Sequence, residues 1–398
     1  MDQKTIAIIS IYPPQATLHG SGASGVGSYT KNLLTNMDEH ERKKIVVLCD
    51  YDTEPASYTE DRMMIERCRQ RKGIVQWLQQ IIRVLEKYPH LTTIHIQHEF
   101  NMFGSILTVP VFLMLLRILR KYKIVVTYHG VIDTSSIDKE YGKINSLPRY
   151  FPPFFLKFAF WFFYAVSSKH IDTAIVHEEY FKKVLMKYRY RDEQVKVIVH
   201  GVEDRNLSIS QHDARSKLGI ESDKKVLLYF GFLAGYKGVD LLLNTFQTMD
   251  YSQYHLILAG GTPKRTLADP LFRARYEGVD TKAKNMTGIT RMGFVPDEEI
   301  ETLYAAADVL VIPYLYMLAA SGPMALAITY NLPFIVSDVF SPVIVEESMR
   351  FEKTPQGLSK CITQFFENPQ KIQNIIITMR KERLWKVVSE KTALLYTK

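Results

Sequence analysis

A chain of 398 residues with 46% hydrophobic and 23% charged residues has an ordinary globular composition, long enough for two domains because single cores rarely grow past about 250 to 300 residues. The formal charge of +8 points to an anionic partner, a phosphorylated substrate or an anionic lipid; no helix-turn-helix, zinc-finger or RNA-binding signature argues for nucleic acid. Cys49, Cys68 and Cys361 are odd in number and widely spaced, which excludes a disulfide framework or a cysteine metal site, and the first residues lack the basic leader and apolar length of a signal peptide, so a cytoplasmic protein is expected.

In chain order, the first apolar strand covers residues 6–11 and runs into a Gly-rich loop, HGSGASGVGSYTKNLL, which holds Gly25 and Gly27 at the mouth of a helix. Further strands are predicted at 45–49, 93–96, 124–127, 173–176 and 195–199, with helical patterns between most of them. This alternation predicts a parallel sheet covered on both faces. Asp50-Tyr51-Asp52 imitates a metal-binding D-x-D but follows an early strand, and is read as chance; no metal is expected. His98-Glu99 and His129 end neighbouring strands.

Residues 150–166, YFPPFFLKFAFWFFYAV, form an extreme aromatic run. As a helix from Pro153 it would span roughly 20 Å, short of the roughly 30 Å hydrocarbon core, so it does not cross a membrane. It is expected to dip into an anionic bilayer interface, with a buried helix as the alternative. Lys121, Lys123, Arg149, Lys157 and Lys169 supply charge around it.

A polar stretch at about 203–223 is the predicted hinge, after which the alternation restarts. Strands at 226–230, 255–259, 309–312 and 334–336 make a second doubly wound sheet. Two of its loops stand out. The first, GFLAGYKG, holds Lys237; in the second, Ser321-Gly322 precedes a helix, where small residues let backbone N–H groups approach a phosphate, although Ser-Gly there is also an ordinary N-cap. The domains are therefore placed at 1–205 and 206–370. A final helical segment, 371–398, has apolar positions that need a surface to cover.

These features resemble glycosyltransferase family 4, retaining enzymes of the GT-B fold, in which two Rossmann-like domains face each other across a cleft. The resemblance rests on Gly25 to Tyr29, Val125 to His129, Val197 to Glu203, Gly231-Phe232-Leu233 with Lys237-Gly238, Leu256 to Gly261, Gly293-Phe294-Val295, Asp308 with Pro313, and Asn331 to Val336. Gln97-His98-Glu99-Phe100 with Phe103-Gly104, together with Ser321-Gly322, is similar to a branch with QHE and Ser-Gly motifs.

The resemblance implies a nucleotide-sugar donor, a glycan or lipid-linked acceptor on the N-terminal side, no cofactor, and a C-terminal helix that crosses back to the first domain. It gives His129 and Lys237 the central roles. Gly25, Gly27, Gly261, Ser321 and Gly322 would lie along the donor phosphates, with His98 and Glu99 on the acceptor side. The chain departs from the family where paired glutamates stand, at Leu318 and Leu326, and where an arginine stands, at Phe232. Lys264 and Arg265 are candidates to replace the arginine, and Glu346 and Glu347 the glutamate, while solvated loop residues and helix-start acids are the plainer readings. The alternatives are an inactive homologue serving as a partner subunit, or another GT-B enzyme such as an epimerase.

Overall fold

The structure, a computed structural model, describes residues 3–15, 25–51, 53–70, 76–100, 109–138, 152–261, 270–316 and 321–397. Two compact units account for the chain. The first comprises residues up to Gly201 with Arg383–Lys398, and the second the residues between Val202 and Glu382, apart from a short piece around 318–320.

The first unit carries an eight-stranded sheet: β1 (Ile6–Ile9), β2 (Ile45–Asp50), β3 (Ala56–Glu60), β4 (Met63–Arg69), β5 (Thr93–His98), β6 (Lys123–Tyr128), β7 (Thr173–Val176) and β8 (Val195–Val197). Their order is β3-β4-β2-β1-β5-β6-β7-β8, parallel except for β3 against β4. The helices are α1 (Gly25–Thr35), α2 (Glu39–Lys43), α3 (Gln76–Leu85), α4 (Val109–Ile118), α5 (Pro153–Ser167) and α6 (Glu179–Met186). Because both faces are covered, β1 and β2 read as unbroken apolar runs and are buried throughout but for Asp50.

The β3–β4 hairpin is absent from the sequence expectation. Its two-residue turn puts Asp61 and Arg62 at positive φ, 48° and 71°, without the glycine that normally marks such a turn. Its strands also hide their pattern behind partnered charges: buried Glu66 accepts from the Tyr88 hydroxyl at 2.6 Å, and Arg69 pairs with Asp50.

The second unit has six parallel strands: β9 (Lys225–Phe230), β10 (Tyr254–Ala259), β11 (Ile289–Gly293), β12 (Val309–Ile312), β13 (Phe334–Ser337) and β14 (Arg350–Phe351), in the order β11-β10-β9-β12-β13-β14. Its helices are α7 (Gln211–Lys217), α8 (Val239–Phe246), α9 (Pro270–Lys284), α10 (Asp297–Ala306), α11 (Gly322–Thr329), α12 (Pro355–Glu367) and α13 (Pro369–Arg383). This is the doubly wound order that reverses direction once, between β9 and β12.

A last helix, α14 (Trp385–Ala393), belongs to the first unit. Trp385, Val388 and Tyr396 join Tyr29, Leu33 and Leu34 in one apolar cluster, and the Ser389 hydroxyl donates to the Leu33 carbonyl at 2.7 Å. Gly201 is fixed by this packing, since a Cβ there would stand 2.2 Å from the Trp385 ring. Residues 371–382 stay with the second unit, where Ile372 and Ile376 are buried.

Candidate active site

In an open α/β sheet, ligands bind outside the carboxyl ends of the strands where the order reverses. In the second unit that point lies beyond β9 and β12. A Cβ placed on Gly231, just after β9, would be 2.9 Å from Lys237 Nζ and 3.5 Å from Pro323 Cγ. Two segments far apart in sequence therefore meet: the loop after β9, which includes the 3-10 turn Gly235–Lys237, and the first turn of α11. Gly238 makes the turn possible, because it sits at φ +67° and a Cβ would lie 1.8 Å from the Pro313 carbonyl oxygen.

The Lys237 side chain is buried, with its ammonium 5.3 Å from the centre of the Tyr314 ring and 5.9 Å from that of Phe232. Burial opposes its charge, but the Tyr314 and Tyr236 hydroxyls more than offset this and hold it protonated. Phe232, where the family places an arginine, is 49% exposed and offers a hydrocarbon face instead.

Ser321 is the N-cap of α11 and accepts from the Met324 N–H at 3.4 Å, a long bond. Pro323 has no N–H. The Gly322 N–H belongs to the first turn of α11, whose N–H groups have no partner carbonyl within the helix and carry its positive end. The φ of Gly322 is ordinary and nothing among the described residues lies within 4 Å of where its Cβ would be, so the backbone itself does not demand glycine there. The open space is what a ligand would use. Gly261, after β10, would place a Cβ 3.2 Å from Phe294, close beside the loop after β11.

Glu346 and Glu347 are otherwise engaged. Glu346 caps the 3-10 turn Glu347–Met349 and pairs with Lys371 at 2.9 Å; Glu347, strongly exposed, faces Arg350 at 3.7 Å. They precede edge strand β14, and no contact among the described residues joins them to Lys237 or Ser321. Lys264, Arg265, Asp52 and Leu318 lie outside the described residues. Asp50, the first carboxylate of the D-x-D, is taken by Arg69.

In the first unit, four histidines follow or end the strands β5 to β8: His98, His129, His177 and His200. Tyr29, buried on α1 one turn beyond Gly25, joins the last three, with ring centres 4.7 Å from His129 and 5.2 Å from both His177 and His200. Gly25 is exposed with open space around it, and Gly27 is buried.

His129 Nε2 donates to Gln97 Oε1 at 2.8 Å, which fixes its tautomer and leaves Nδ1 to accept. The Gln97 amide donates in turn to His95 Nε2 at 3.2 Å, and His95 Nδ1 donates to the Tyr396 hydroxyl at 2.7 Å. A buried chain of hydrogen bonds therefore runs from the C-terminal segment to His129. Desolvation, then the neighbouring imidazoles, keeps His129 neutral, its pKa well below the usual histidine value.

His98 is also neutral, lowered to about 3 by burial, and is boxed by Phe100, Phe112, Tyr128 and Phe163. Its ring does not face solvent, so it shapes an aromatic wall; Glu99 beside it is exposed. Sequence reasoning gave no role to Tyr29, Gln97, His177, His200 or Tyr314. The two histidines carried a usable signal, since each closely follows a strand of a doubly wound sheet, and Tyr29 and Gln97 lie inside stretches that carry the family resemblance; Tyr314 acts through contacts that no local pattern announces.

Residues 23–206 match the family model described as Glycosyltransferase Family 4, and residues 210–382 the model described as Glycosyl transferases group 1. The chain is 31% identical over 184 residues to an uncharacterized glycosyltransferase, MJ1607, of Methanocaldococcus jannaschii, a match spanning 44% of this chain and 44% of that protein. Among solved structures, sucrose-phosphate synthase (tll1590) from Thermosynechococcus elongatus superposes with a TM-score of 0.75 at 18% identity, covering 99% of this chain and 98% of that one. Anabaena Alr3699/HepE in complex with UDP-glucose gives a TM-score of 0.69 at 14% identity, covering 98% of each chain. These structural likenesses establish the two-sheet GT-B fold.

Proposed function

Because the chain belongs to glycosyltransferase family 4 by models that match both of its halves, we propose that it moves a sugar from a nucleoside diphosphate donor to a glycan or lipid-linked acceptor, with retention of anomeric configuration. The observation that carries this reading is the meeting of Lys237, the loop after β9 and the first turn of α11 at the reversal point of the second sheet.

As the bond between sugar and diphosphate breaks, negative charge grows on the departing phosphate oxygen. The Lys237 ammonium neutralises it from a water-poor setting, where such a charge counts for more than in water. The Gly322 N–H and the α11 dipole hold the same diphosphate. In this account protein cations, rather than a bound metal or other cofactor, balance the leaving group. His129, neutral and fixed by Gln97, offers Nδ1 to a sugar or acceptor hydroxyl, which suits a reaction that needs positioned hydrogen bonds more than a strong base. The acceptor sits with the first unit, and the exposed side of α5 rests on a membrane.

A screen of nucleoside diphosphates and their sugars for thermal stabilisation tests the reading, beginning with UDP-glucose because HepE holds it. A true donor at about 100 times its dissociation constant adds about 2.7 kcal/mol. Silence from every nucleotide would instead favour an inactive homologue that serves as a partner subunit, a second reading prompted by Phe232 and Leu326 at positions where the family has charge.

A further inference from the structure

We propose that the groove between α4 and α5 holds a hydrocarbon chain of one anionic phospholipid, whose phosphate is bound by Arg117, Arg120 and Lys169 at the groove's far end. This rests on the membrane contact proposed above and specifies its lipid. The groove has a volume of about 520 Å³ and is walled by Leu113, Met114, Ala159, Phe160, Phe162 and Phe163, with Arg117 and His170 also lining it. Beside it, Phe154, Phe155 and Phe158 stand more than half exposed on α5, as does the groove-lining Met114 on α4. Large apolar side chains clustered in this way are the mark of a surface that is covered in use.

Charge selects the cover. Residues 109–123 hold Arg117, Arg120, Lys121 and Lys123, and residues 152–170 hold Lys157 and Lys169, with no acidic residue in either stretch. Lys123 is occupied by the Thr397 carbonyl, but no carboxylate among the described residues pairs with Arg117, Arg120 or Lys169. They converge on His170, whose imidazole is disfavoured from protonation by desolvation and then by these three cations. A second copy of this chain laid on the face would meet like charge, whereas an anionic bilayer is complementary.

Topology separates this lipid from the acceptor. α4 leaves the carboxyl end of β5 and runs back to the start of β6, and α5 likewise leads to the start of β7, so the cations lie at the amino edge of the sheet. His98 and His129 lie at the carboxyl edge, roughly one α4 length away, about 15 Å for a ten-residue helix. The bound lipid is therefore an anchor and not the acceptor.

Flotation with vesicles of phosphatidylcholine, alone or mixed with phosphatidylglycerol, tests this on the full chain. The wild type should float with the anionic vesicles and not with the neutral ones. Arg117→Gln with Arg120→Gln should weaken partition roughly thirtyfold, the conversion of about 1 kcal/mol for each cation removed. Ala159→Trp, at an exposed groove position, should weaken it with all charges intact. Donor-induced thermal stabilisation should survive in both variants, which keeps a failure here distinct from a failure of the transferase reading. Equal flotation on neutral vesicles, or undiminished flotation of the double variant, would overturn the phosphate site; loss of all flotation by the wild type would overturn the membrane contact as well.

Discussion

Lys237 carries the greatest share of the proposed chemistry, and its surroundings say what its loss should do. Its ammonium lies over the Tyr314 and Phe232 rings and pairs with no carboxylate among the described residues, so truncation removes an electrostatic donor without leaving a partner charge stranded. Lys237→Ala should lower kcat by on the order of a hundredfold, with the melting temperature nearly unchanged, in a steady-state assay at saturating donor. An unaltered kcat would remove Lys237 from the site. The strand-loop-helix units that hold Lys237 and Ser321-Gly322 were legible in the sequence because glycine stands beside each residue between an apolar strand and a helical pattern. Tyr314 was not, because its meeting with Lys237 depends on how β9 and β12 lie side by side. The glutamates at 346 and 347 misled for a related reason: composition put acids near a helix start, but the fold gave Glu346 a cap and Lys371 as partner.

Long apolar elements announced themselves, and the doubly wound class followed from their alternation. What escaped were the hairpin turned by Asp61-Arg62, the half-exposed strand β11, whose Arg291 pairs with Asp280, and the two-residue β14, where partnered charges, exposure or brevity erase the period that pattern reading needs. The aromatic helix α5 posed a choice between bilayer and core, and the fold divides it by side. Leu156, Phe163 and Tyr164 are buried, while Phe154, Phe155, Phe158 and Phe162 are not. Phe155→Ser with Phe158→Ser should therefore abolish flotation with anionic vesicles while the chain melts as the wild type does; a far earlier melt would mean that the exposed side is core. The α14 helix behaves in the opposite way. Trp385 is buried against Tyr29 and Gly201, so Trp385→Ala should cost about 3 to 5 kcal/mol in denaturant titration. A loss below about 1 kcal/mol would show that the C-terminal segment is a loose appendage.

Taken together, buried His95, His98, His129 and His177 and half-buried His200 give the protein a pH limit. His95, His98 and His177 are lowered to about 3 and His200 to about 4, each chiefly by desolvation, and His129 is lowered well below its usual value. Unfolded, each takes a proton near pH 6.5, so the unfolded chain binds more protons as the pH falls and stability drains away from about pH 6.5 down to the folded values. At about pH 5 each imidazole accounts for on the order of 2 kcal/mol, and thermal melting should fall steeply between about pH 6.5 and pH 5. A flat melting profile over that range would mean that the cluster is hydrated rather than dry. The central claim, that the reversal point of the second sheet holds a nucleoside diphosphate, is tested most directly by titration calorimetry of the best donor from the nucleotide screen against wild type, Ser321→Ala and Gly322→Val. Ser321 contributes a long cap bond to the Met324 N–H and a 3.5 Å contact with the Tyr314 hydroxyl, both weak, so its variant should bind within a few-fold of wild type and lose about 1 kcal/mol of stability. Gly322 has open space and an ordinary backbone, so Gly322→Val should fold normally yet bind no donor, because the new side chain fills the place of the phosphate. Wild-type affinity in Gly322→Val would contradict the account.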